Sequence, residues 1–354
     1  MDGSAFRELV SGRRRGGLAV LLRAALRVLE VPYTGAVRWR NRAYDRGYRQ
    51  IERVAVPVIS VGNLTLGGTG KTPMVAWLAR WFRAHGIRLT LISRGYAAKA
   101  GSVNDEAREL EQQLPDVPHL QNPNRVEAAR TAIQEYDSEL ILLDDAFQHR
   151  RIARDLDVVL IDALEPFGFD HVFPRGTLRE PAAGLRRADV VVLTRANLAD
   201  ESRRKRIQRR ARKIAPAAVW VEVAHEPRAL ISADGNEASV ETLAERTIAA
   251  FCGIGNPEGF AHTLESCGYA VAGMREFPDH HQYDRADIDS IAAWLDTLAG
   301  VEAVVCTHKD LVKIGVNRIE STPLWALAIE MELLAGENPF VEKLEGIRHS
   351  ANRR

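Results

Sequence analysis

Cysteine is scarce in this sequence of 354 residues. Three are present, Cys252, Cys267 and Cys306, and no two of them form a Cys-x-x-Cys pair. An odd and widely spaced set of this kind excludes a disulfide scaffold and argues against a structural zinc site. It is typical of a protein that works in a reducing compartment, so we expect a cytosolic environment.

Long apolar runs are also missing from the N-terminal part of the chain. The run Leu18-Ala19-Val20-Leu21-Leu22 ends at Arg23, whereas spanning a bilayer takes roughly 20 apolar residues. The run is too short for a signal peptide as well, and no small-residue cleavage site follows it before Pro32. The sequence therefore predicts neither a transmembrane helix nor a secretion signal.

Charge is unevenly distributed along the chain. Residues 1–53 carry twelve arginines and five acidic side chains, although the net charge of the whole chain is only +1. The remaining residues are therefore mildly acidic, which is unfavourable for following the phosphates of a nucleic acid. We predict no nucleic-acid partner, and nothing in the sequence indicates an obligate protein partner.

The basic N-terminal segment also carries an apolar stripe with helical spacing, formed by Leu18, Leu21, Leu22, Ala25, Leu26 and Leu29. Arg23 and Arg27 lie off this stripe, and residues 33–48 mix aromatic side chains with further arginines. Such a helix is typical of a membrane interface, where each cation near an anionic surface contributes ~1 kcal/mol. We expect it to bind an anionic membrane surface. The alternative is an ordinary helix packed on the body of the protein.

From residue 54 onward, short apolar runs alternate with helical stretches. Continuous apolar runs without alternation are typical of parallel strands covered on both faces. The sequence predicts strands at residues 56–61, 89–93, 140–143, 158–161, 190–193, 248–252, 271–273 and 303–307, helices at 74–85, 125–136 and 201–214, and a loop at 224–238. We predict a P-loop NTPase-like α/β fold with a doubly wound, mostly parallel sheet. Its expected domains are an N-terminal amphipathic helical segment (1–53), a nucleotide-binding domain (54–223) and a smaller α/β domain (224–354).

The strongest motif follows the first predicted strand and reads Thr65-Leu66-Gly67-Gly68-Thr69-Gly70-Lys71-Thr72. A glycine-dense turn between a strand and a helix lets backbone N–H groups face phosphate oxygens, and the helix N-terminus adds partial positive charge. Lys71 is expected to reach the β- and γ-phosphates, and the Thr72 hydroxyl to bind Mg²⁺. Thr65 stands where the strict phosphate-loop pattern has its first glycine. The motif predicts binding of a nucleoside triphosphate.

Acidic residues follow two of the predicted strands. Asp144 and Asp145 end the run at 140–143, where a carboxylate beside a phosphate loop is placed for Mg²⁺. Asp105 and Glu106 fall in a predicted loop after the strand at 89–93, where a carboxylate could deprotonate an acceptor hydroxyl. The bland alternatives are turn or surface aspartates. Gln148 and His149 could line the same cleft.

Several segments in chain order together carry a family resemblance: Val61-Gly62-Asn63-Leu64-Thr65-x-Gly67-Gly68-x-Gly70-Lys71-Thr72-Pro73, Ser93-Arg94-Gly95-Tyr96, Asp105-Glu106, Asp144-Asp145-Ala146-Phe147-Gln148-His149, Arg154-Asp155, Leu178-Arg179-Glu180-Pro181, Gly253-Ile254-Gly255-x-Pro257, Asp279-His280 and Lys309-Asp310. Taken together they resemble the tetraacyldisaccharide 4′-kinase family, the lipid A 4′-kinases. The sequence departs from the family pattern at Asn104, Ala107 and Ala146 and across residues 173–177.

The resemblance implies transfer of the ATP γ-phosphate to the 4′-hydroxyl of an acylated glucosamine disaccharide 1-phosphate, the lipid A precursor. It also implies Mg²⁺ and peripheral attachment at the cytoplasmic face of the bacterial inner membrane. Carried over from the family, Asp105 is the catalytic base and His280 assists it. Asp144 and Asp145 match the acidic pair near the metal. Arg179 and Glu180 match a motif that lines the active site.

A different class of protein competes with this interpretation. A membrane-peripheral P-loop ATPase or GTPase could use hydrolysis as a conformational switch. Dimeric ATPases with a similar loop carry a lysine before the two glycines, where this sequence has Leu66. The guanine-selecting Asn-Lys-x-Asp pattern is not matched either, because Lys309 and Asp310 are adjacent. Both differences argue against the switch.

Overall fold

The computed structural model describes residues 3–95, 105–255, 257–278 and 281–352. The chain forms two compact units. Unit 1 comprises Met1–Lys99, Gln113–Ala224 and Met331–Arg354, and unit 2 comprises Ala100–Gln112 and His225–Glu330. The domain boundaries expected from sequence, at residues 53/54 and 223/224, stay a prediction.

The helices and strands alternate along most of the chain. The described α-helices are α1 (Gly3–Ser11), α2 (Gly17–Asp45), α3 (Lys71–Ala84), α4 (Asp105–Gln113), α5 (Arg125–Glu135), α6 (Glu201–Ile214), α7 (Pro257–Ser266), α8 (Arg285–Leu295), α9 (His308–Ile314) and α10 (Glu337–Ala351). The described strands are β1 (Val58–Asn63), β2 (Leu89–Ser93), β3 (His119–Gln121), β4 (Leu140–Asp144), β5 (Leu156–Asp162), β6 (Val190–Thr194), β7 (Val219–Ile231), β8 (Glu237–Ser239), β9 (Thr247–Cys252), β10 (Ala270–Glu276), β11 (Ala303–Thr307), β12 (Arg318–Ile319) and β13 (Thr322–Ala335).

The sheet of unit 1 has the strand order β7-β6-β5-β1-β4-β2-β3, with parallel pairing throughout. Every residue of β1, β4, β5 and β6 is buried, as expected for parallel strands covered by helices on both faces. The predicted α/β fold with a mostly parallel sheet is thereby confirmed. Because β1 and β4 are neighbours, with Val61 paired to Asp144, the segments that follow both strands meet at one edge.

Unit 2 has its own parallel strands in the order β10-β9-β11-β13, and the short β12 is antiparallel to β13. Helices α7, α8 and α9 belong to this unit. Its apolar residues form two clusters, one around Phe260 and Leu264 and one around Phe251 and Ile291.

Two local expectations from sequence were wrong. Residues 224–231 extend β7 instead of forming a loop, and β8 pairs with the last three of them, Ala229–Ile231. Asp105 does not lie in a loop but begins α4. Helix α2, 29 residues long, continues through Pro32. Proline removes one helical hydrogen bond, and contacts of Glu30 and Tyr33 with the body secure the turns on both sides of it.

Candidate active site

The loop that connects β1 to α3 has the backbone conformation of a phosphate cradle. Gly67 has φ = 106° and Gly70 has φ = 79°, values that favour glycine. Helix α3 begins at Lys71, and Thr72 lies in its first turn. The N-terminal N–H groups of a helix have no intrahelical acceptor, so this end of α3 is suited to an anion.

Side chains from neighbouring strands hold the loop in this conformation. Asn63 donates from Nδ2 to Thr69 Oγ1 at 2.8 Å, and Thr194 at the end of β6 donates to the Thr69 carbonyl at 3.0 Å. The Arg195 guanidinium donates to the carbonyl of Gly68 and pairs with Asp162. The loop is therefore fixed before any ligand arrives, which lowers the entropic cost of binding.

A second segment, residues 171–180, packs alongside the phosphate loop, and we call it the brace segment. Thr65 forms an antiparallel bridge with Leu178. The Leu66 N–H donates to the Thr177 carbonyl at 2.7 Å, and the Arg179 N–H donates to the Leu64 carbonyl at 2.7 Å. These backbone bonds run along the start of the loop, so the brace segment positions its first residues.

The acidic pair at the end of β4 faces cations of the loop and of the brace segment. Arg179 Nη1 donates to Asp145 Oδ1 at 2.7 Å and to Oδ2 at 2.8 Å, and Lys71 Nζ is 3.7 Å from Oδ1. Burial works to raise the pKa of Asp145, but the charges of Lys71 and Arg179 outweigh it and lower that pKa. Asp145 is therefore ionised at neutral pH, while Asp144 is almost fully buried.

A buried arginine lies behind the acidic pair. Arg125, the first residue of α5, is only 2% exposed and donates weakly to the Asp144 carbonyl at 3.4 Å. Burial lowers the pKa of Arg125, and the charges of Asp144 and Asp145 raise it in part. A buried charge of this kind is tolerated only where opposite charge compensates it, so Arg125 and the acidic pair balance one another.

The residues that follow the acidic pair form part of the wall of the candidate site. Gln148 Nε2 donates to the Asn63 carbonyl at 2.8 Å and to Glu180 Oε1 at 3.1 Å. Burial and the charges of surrounding arginines, Arg125 foremost, lower the pKa of His149 to about 4, so its ring is neutral at pH 7. Arg154 donates to the carbonyls of Ala146 and His149, each at 2.6 Å, and fixes this turn.

Glu180 is fully buried, at 0% exposed. Its carboxylate accepts from Arg187 at 2.7 Å, from Asn41 of α2 at 2.8 Å and from Gln148. These three donors occupy the carboxylate in this structure. We infer that Glu180 holds the wall together, and its expected contact with substrate stays an untested prediction.

The predicted base and its histidine are placed less completely. Asp105 is the first residue of α4, so its backbone belongs to unit 2, whereas Lys71 and Asp145 belong to unit 1. The side chains of Asp105 and Glu106, and the whole of His280, lie outside the described residues. Their catalytic roles stay predictions.

Sequence reasoning gave no role to three arginines of the site. Arg125 stands at a helix start, where an arginine ordinarily faces solvent. Arg195 follows a strand with no accompanying motif. Arg154 belongs to one of the family segments, but its use as a donor to two backbone carbonyls depends on how the turn folds. Only the last had a signal in the sequence.

These features define a class of protein. A glycine-rich turn joins a buried parallel strand to a helix, and an ionised aspartate from the adjacent strand lies 3.7 Å from the helix's first lysine. That combination is characteristic of P-loop proteins that bind nucleoside triphosphates.

Comparisons with known proteins narrow the class. The family model for LpxK, tetraacyldisaccharide-1-P 4′-kinase, matches residues 22–348. The tetraacyldisaccharide 4′-kinase of Anaeromyxobacter sp. (strain K) is 39% identical over 94% of this chain and 92% of its own. That of Anaeromyxobacter dehalogenans (strain 2CP-1 / ATCC BAA-258) is 40% identical over the same shares of the two chains. The LpxK of Aquifex aeolicus, solved in complex with ATP, superposes with a TM-score of 0.71 at 28% identity, covering 92% of this chain and 99% of that one.

This chain belongs to the tetraacyldisaccharide-1-P 4′-kinase (LpxK) family. The resemblance found in the sequence motifs is confirmed.

Proposed function

We propose that this protein transfers the γ-phosphate of ATP to the 4′-hydroxyl of a tetraacylated glucosamine disaccharide 1-phosphate. The product is the 1,4′-bisphosphate of lipid A biosynthesis. The family match across residues 22–348 carries the proposal for the acceptor. The loop geometry and the Lys71–Asp145 pair support a triphosphate as donor.

The residues around the loop suit MgATP. Two carboxylates and the Thr72 hydroxyl are hard oxygen donors of the kind Mg²⁺ takes when phosphates and water complete its shell. The lowered pKa of Asp145 keeps that carboxylate charged for this purpose. When bound, Mg²⁺ neutralises charge on the transferred phosphoryl group. Lys71 binds the phosphate oxygens, and Arg179, which pairs with the same carboxylate as Lys71, adds positive charge to the site.

The family resemblance assigns the acceptor side of the reaction to Asp105 and His280. In our proposal the Asp105 carboxylate takes the proton of the 4′-hydroxyl as that oxygen attacks the γ-phosphorus, and ADP leaves. His280 positions the carboxylate by a hydrogen bond. A general base of this kind contributes roughly 10²- to 10⁴-fold in rate.

We also propose that α2 rests on the cytoplasmic face of the bacterial inner membrane. Its body-facing residues, Ala19, Glu30, Val37 and Ala43, are buried. The apolar stripe faces away from the body: Leu18 is 66% exposed, Leu21 69% and Leu29 57%. An ordinary packed helix would bury that stripe, so its exposure favours an interfacial helix. In the described part of the chain, no helix is long and apolar enough to cross a bilayer.

The activity is tested with purified protein, MgATP and an acylated disaccharide 1-phosphate. We expect a bisphosphorylated product by mass spectrometry, formed only when both substrates are present. ATP hydrolysis without phosphorylation of the acceptor would support the conformational-switch alternative instead.

The membrane proposal has its own test, the binding of the protein to anionic phospholipid vesicles. Leu21→Glu and Leu29→Glu should weaken sedimentation with vesicles, because each places a charge in the apolar layer. Leu334→Glu is the matched control, since Leu334 is also exposed, at 41%, but lies on β13. Equal binding by all three variants would contradict the proposal.

A further inference from the structure

The helix that we expect on the membrane also touches the segment that holds the phosphate loop. Helix α2 contacts both ends of the brace segment, residues 171–180, and all of these residues belong to unit 1. The inner side of the same segment bonds to Leu64 and Leu66 and carries Arg179. The chain of contacts therefore runs from α2 to Asp145 through a single segment of ten residues.

Glu30 makes the contact at the start of the brace segment. Its Oε1 accepts from the Val172 N–H at 2.9 Å, and its Oε2 lies 3.3 Å from His171 Nδ1 and accepts from Arg27 at 2.7 Å. Glu30 is only 7% exposed. Burying a carboxylate is costly unless it is paired, and resting on a membrane requires nothing of this face of the helix. Its presence there indicates that Glu30 serves to hold the backbone at Val172.

Asn41 makes the contact at the other end. Its Nδ2 donates at 2.8 Å to Glu180, which also accepts from Gln148. Gln148 donates in turn to the carbonyl of Asn63, the last residue of β1 before the phosphate loop. Between these two contacts, Tyr33 of α2 donates to the carbonyl of Arg179 at 3.3 Å. Two side chains of α2, Glu30 and Tyr33, thus bond to the backbone of the brace segment, and a third, Asn41, bonds to the carboxylate of Glu180 at its end.

We propose that Glu30 and Asn41 are positioning residues for phosphoryl transfer. They fix the brace segment, and through it the start of the phosphate loop and the Arg179 guanidinium on Asp145. Helix α2 is then the outer wall of the nucleotide site as well as the membrane contact. The proposal rests on the proposed kinase activity for its rate measurements, but its binding measurement is independent of that activity.

Glu30 offers a graded test in the full-length protein. Glu30→Ala removes the acceptor of the Val172 N–H, and we expect kcat to fall about 10-fold with the KM for the lipid nearly unchanged, since small misplacements act on the rate. Glu30→Gln keeps an oxygen at this place and should retain kcat within about twofold. Wild-type kcat in Glu30→Ala, or equal damage by both variants, would overturn the proposal.

Asn41→Asp is the second variant, useful if Glu30→Ala folds poorly. It sets a second carboxylate against Glu180, which should lower kcat about 10-fold through repulsion. Asn352→Asp makes the same chemical change at an exposed position at the end of α10 and should leave kcat unaltered. An Asn41→Asp enzyme as active as Asn352→Asp would contradict the proposal.

Two further measurements separate positioning from anchoring and from the kinase activity itself. Binding to anionic vesicles should be equal for wild type, Glu30→Ala and Asn41→Asp. A loss of kcat that follows a loss of vesicle binding would overturn the proposal. Without any acceptor, a fluorescent non-hydrolysable ATP analogue with Mg²⁺ should bind Glu30→Ala about fivefold more weakly, because the site is less preorganised. Unchanged affinity would also count against it. A wild-type protein that makes no bisphosphate would instead refute the proposed function.

Discussion

Two aspartates, Asp145 in unit 1 and Asp310 in unit 2, each stand just beyond the C-terminal end of a buried parallel strand. The side chain of Asp145 is 34% exposed and lies against two cations, Arg179 and Lys71. Asp310 is 0% exposed. Its oxygens accept from the Gly253 N–H at 3.1 Å, from Tyr283 at 3.1 Å and from Thr307 at 2.5 Å.

The partners give the two carboxylates opposite properties. Burial works to raise the pKa of both, but the charges of Lys71 and Arg179 reverse this at Asp145, whose pKa is lowered. At Asp310 burial dominates, and the neutral donors Thr307, Gly253 and Tyr283 offset only part of it, so its pKa is raised. The position of an aspartate after a strand therefore does not decide its role. Neighbouring side-chain cations keep the Asp145 carboxylate ionised and available to a ligand. The neutral donors around Asp310 occupy its carboxylate, which thereby holds the surrounding loop in place.

The largest effect is expected for Lys71, one of the two cations that lie against Asp145. Lys71→Ala should lower kcat for phosphoryl transfer about 10³-fold, since a preorganised charge at the transferred group is lost. The thermal midpoint should barely change, because Arg179 still pairs with Asp145. The measurement is initial rates beside a melting curve. Lys343→Ala on the exposed face of α10 is the control. Wild-type turnover in Lys71→Ala would contradict the conclusion that the cations around Asp145 serve catalysis.

Asp145→Asn tests whether that carboxylate serves chemistry rather than folding. Asn tolerates the left-handed backbone at this position, where φ is 47°. We expect kcat to fall about 100-fold, from a loss of charge beside the metal. The free energy of unfolding should change by less than about 1 kcal/mol, as is usual for partly exposed ion pairs, because Asp144 still compensates the charge of the buried Arg125. A strong destabilisation in urea with normal activity would make Asp145 resemble Asp310.

Asp310→Ala should show the opposite pattern. It leaves the buried Gly253 N–H and two hydroxyl groups without their acceptor, which costs about 2–4 kcal/mol of unfolding free energy. Nucleotide binding to the phosphate loop of unit 1 should persist at temperatures where the variant is folded. Denaturant unfolding and fluorescent-nucleotide titration measure the two quantities, and Asp296→Ala, an exposed change in the same unit, is the control. A variant as stable as wild type would show that Asp310 does not organise its loop.

The sequence predicted most of the fold, because buried parallel strands are continuous apolar runs. Strands β2 and β11 and helix α6 have the predicted bounds. The failures share a cause in tertiary contact. Residues 224–231 contain His225, Glu226 and Pro227, which suggest a loop, but they continue β7, and β8 pairs with the end of that strand at Ala229–Ile231. A related case is α2, which continues through Pro32 where Glu30 and Tyr33 contact the body on its two sides.

The candidate site was predictable where a motif combines with strand order. The loop from Thr65 to Thr72 and the pair Asp144-Asp145 follow neighbouring strands, and the structure brings Lys71 and Asp145 together. The supporting contacts were not predictable. Asn41 and Glu180 are separated by 139 residues in the chain, and each is an ordinary polar residue in its own segment. Long-range pairs of this kind depend on how the segments dock.

The smallest expected effect tests whether burial and nearby charges set the pKa values of the site, as the contrast between Asp145 and Asp310 requires. The pKa of His149 is lowered from 6.5 to about 4, first by burial and second by the charges of nearby arginines, of which Arg125 acts most strongly. As the pH falls below 6.5, the unfolded chain takes up a proton at this histidine that the native protein refuses, so native stability declines until about pH 4. His149→Gln removes that proton difference, and its thermal midpoint should fall less steeply over this range than that of wild type. His349→Gln, at an exposed position on α10, is the matched control. Parallel curves for wild type and His149→Gln would mean that burial and the arginines do not act on His149 as described. The explanation of the lowered Asp145 pKa by nearby cations would then lose its independent support.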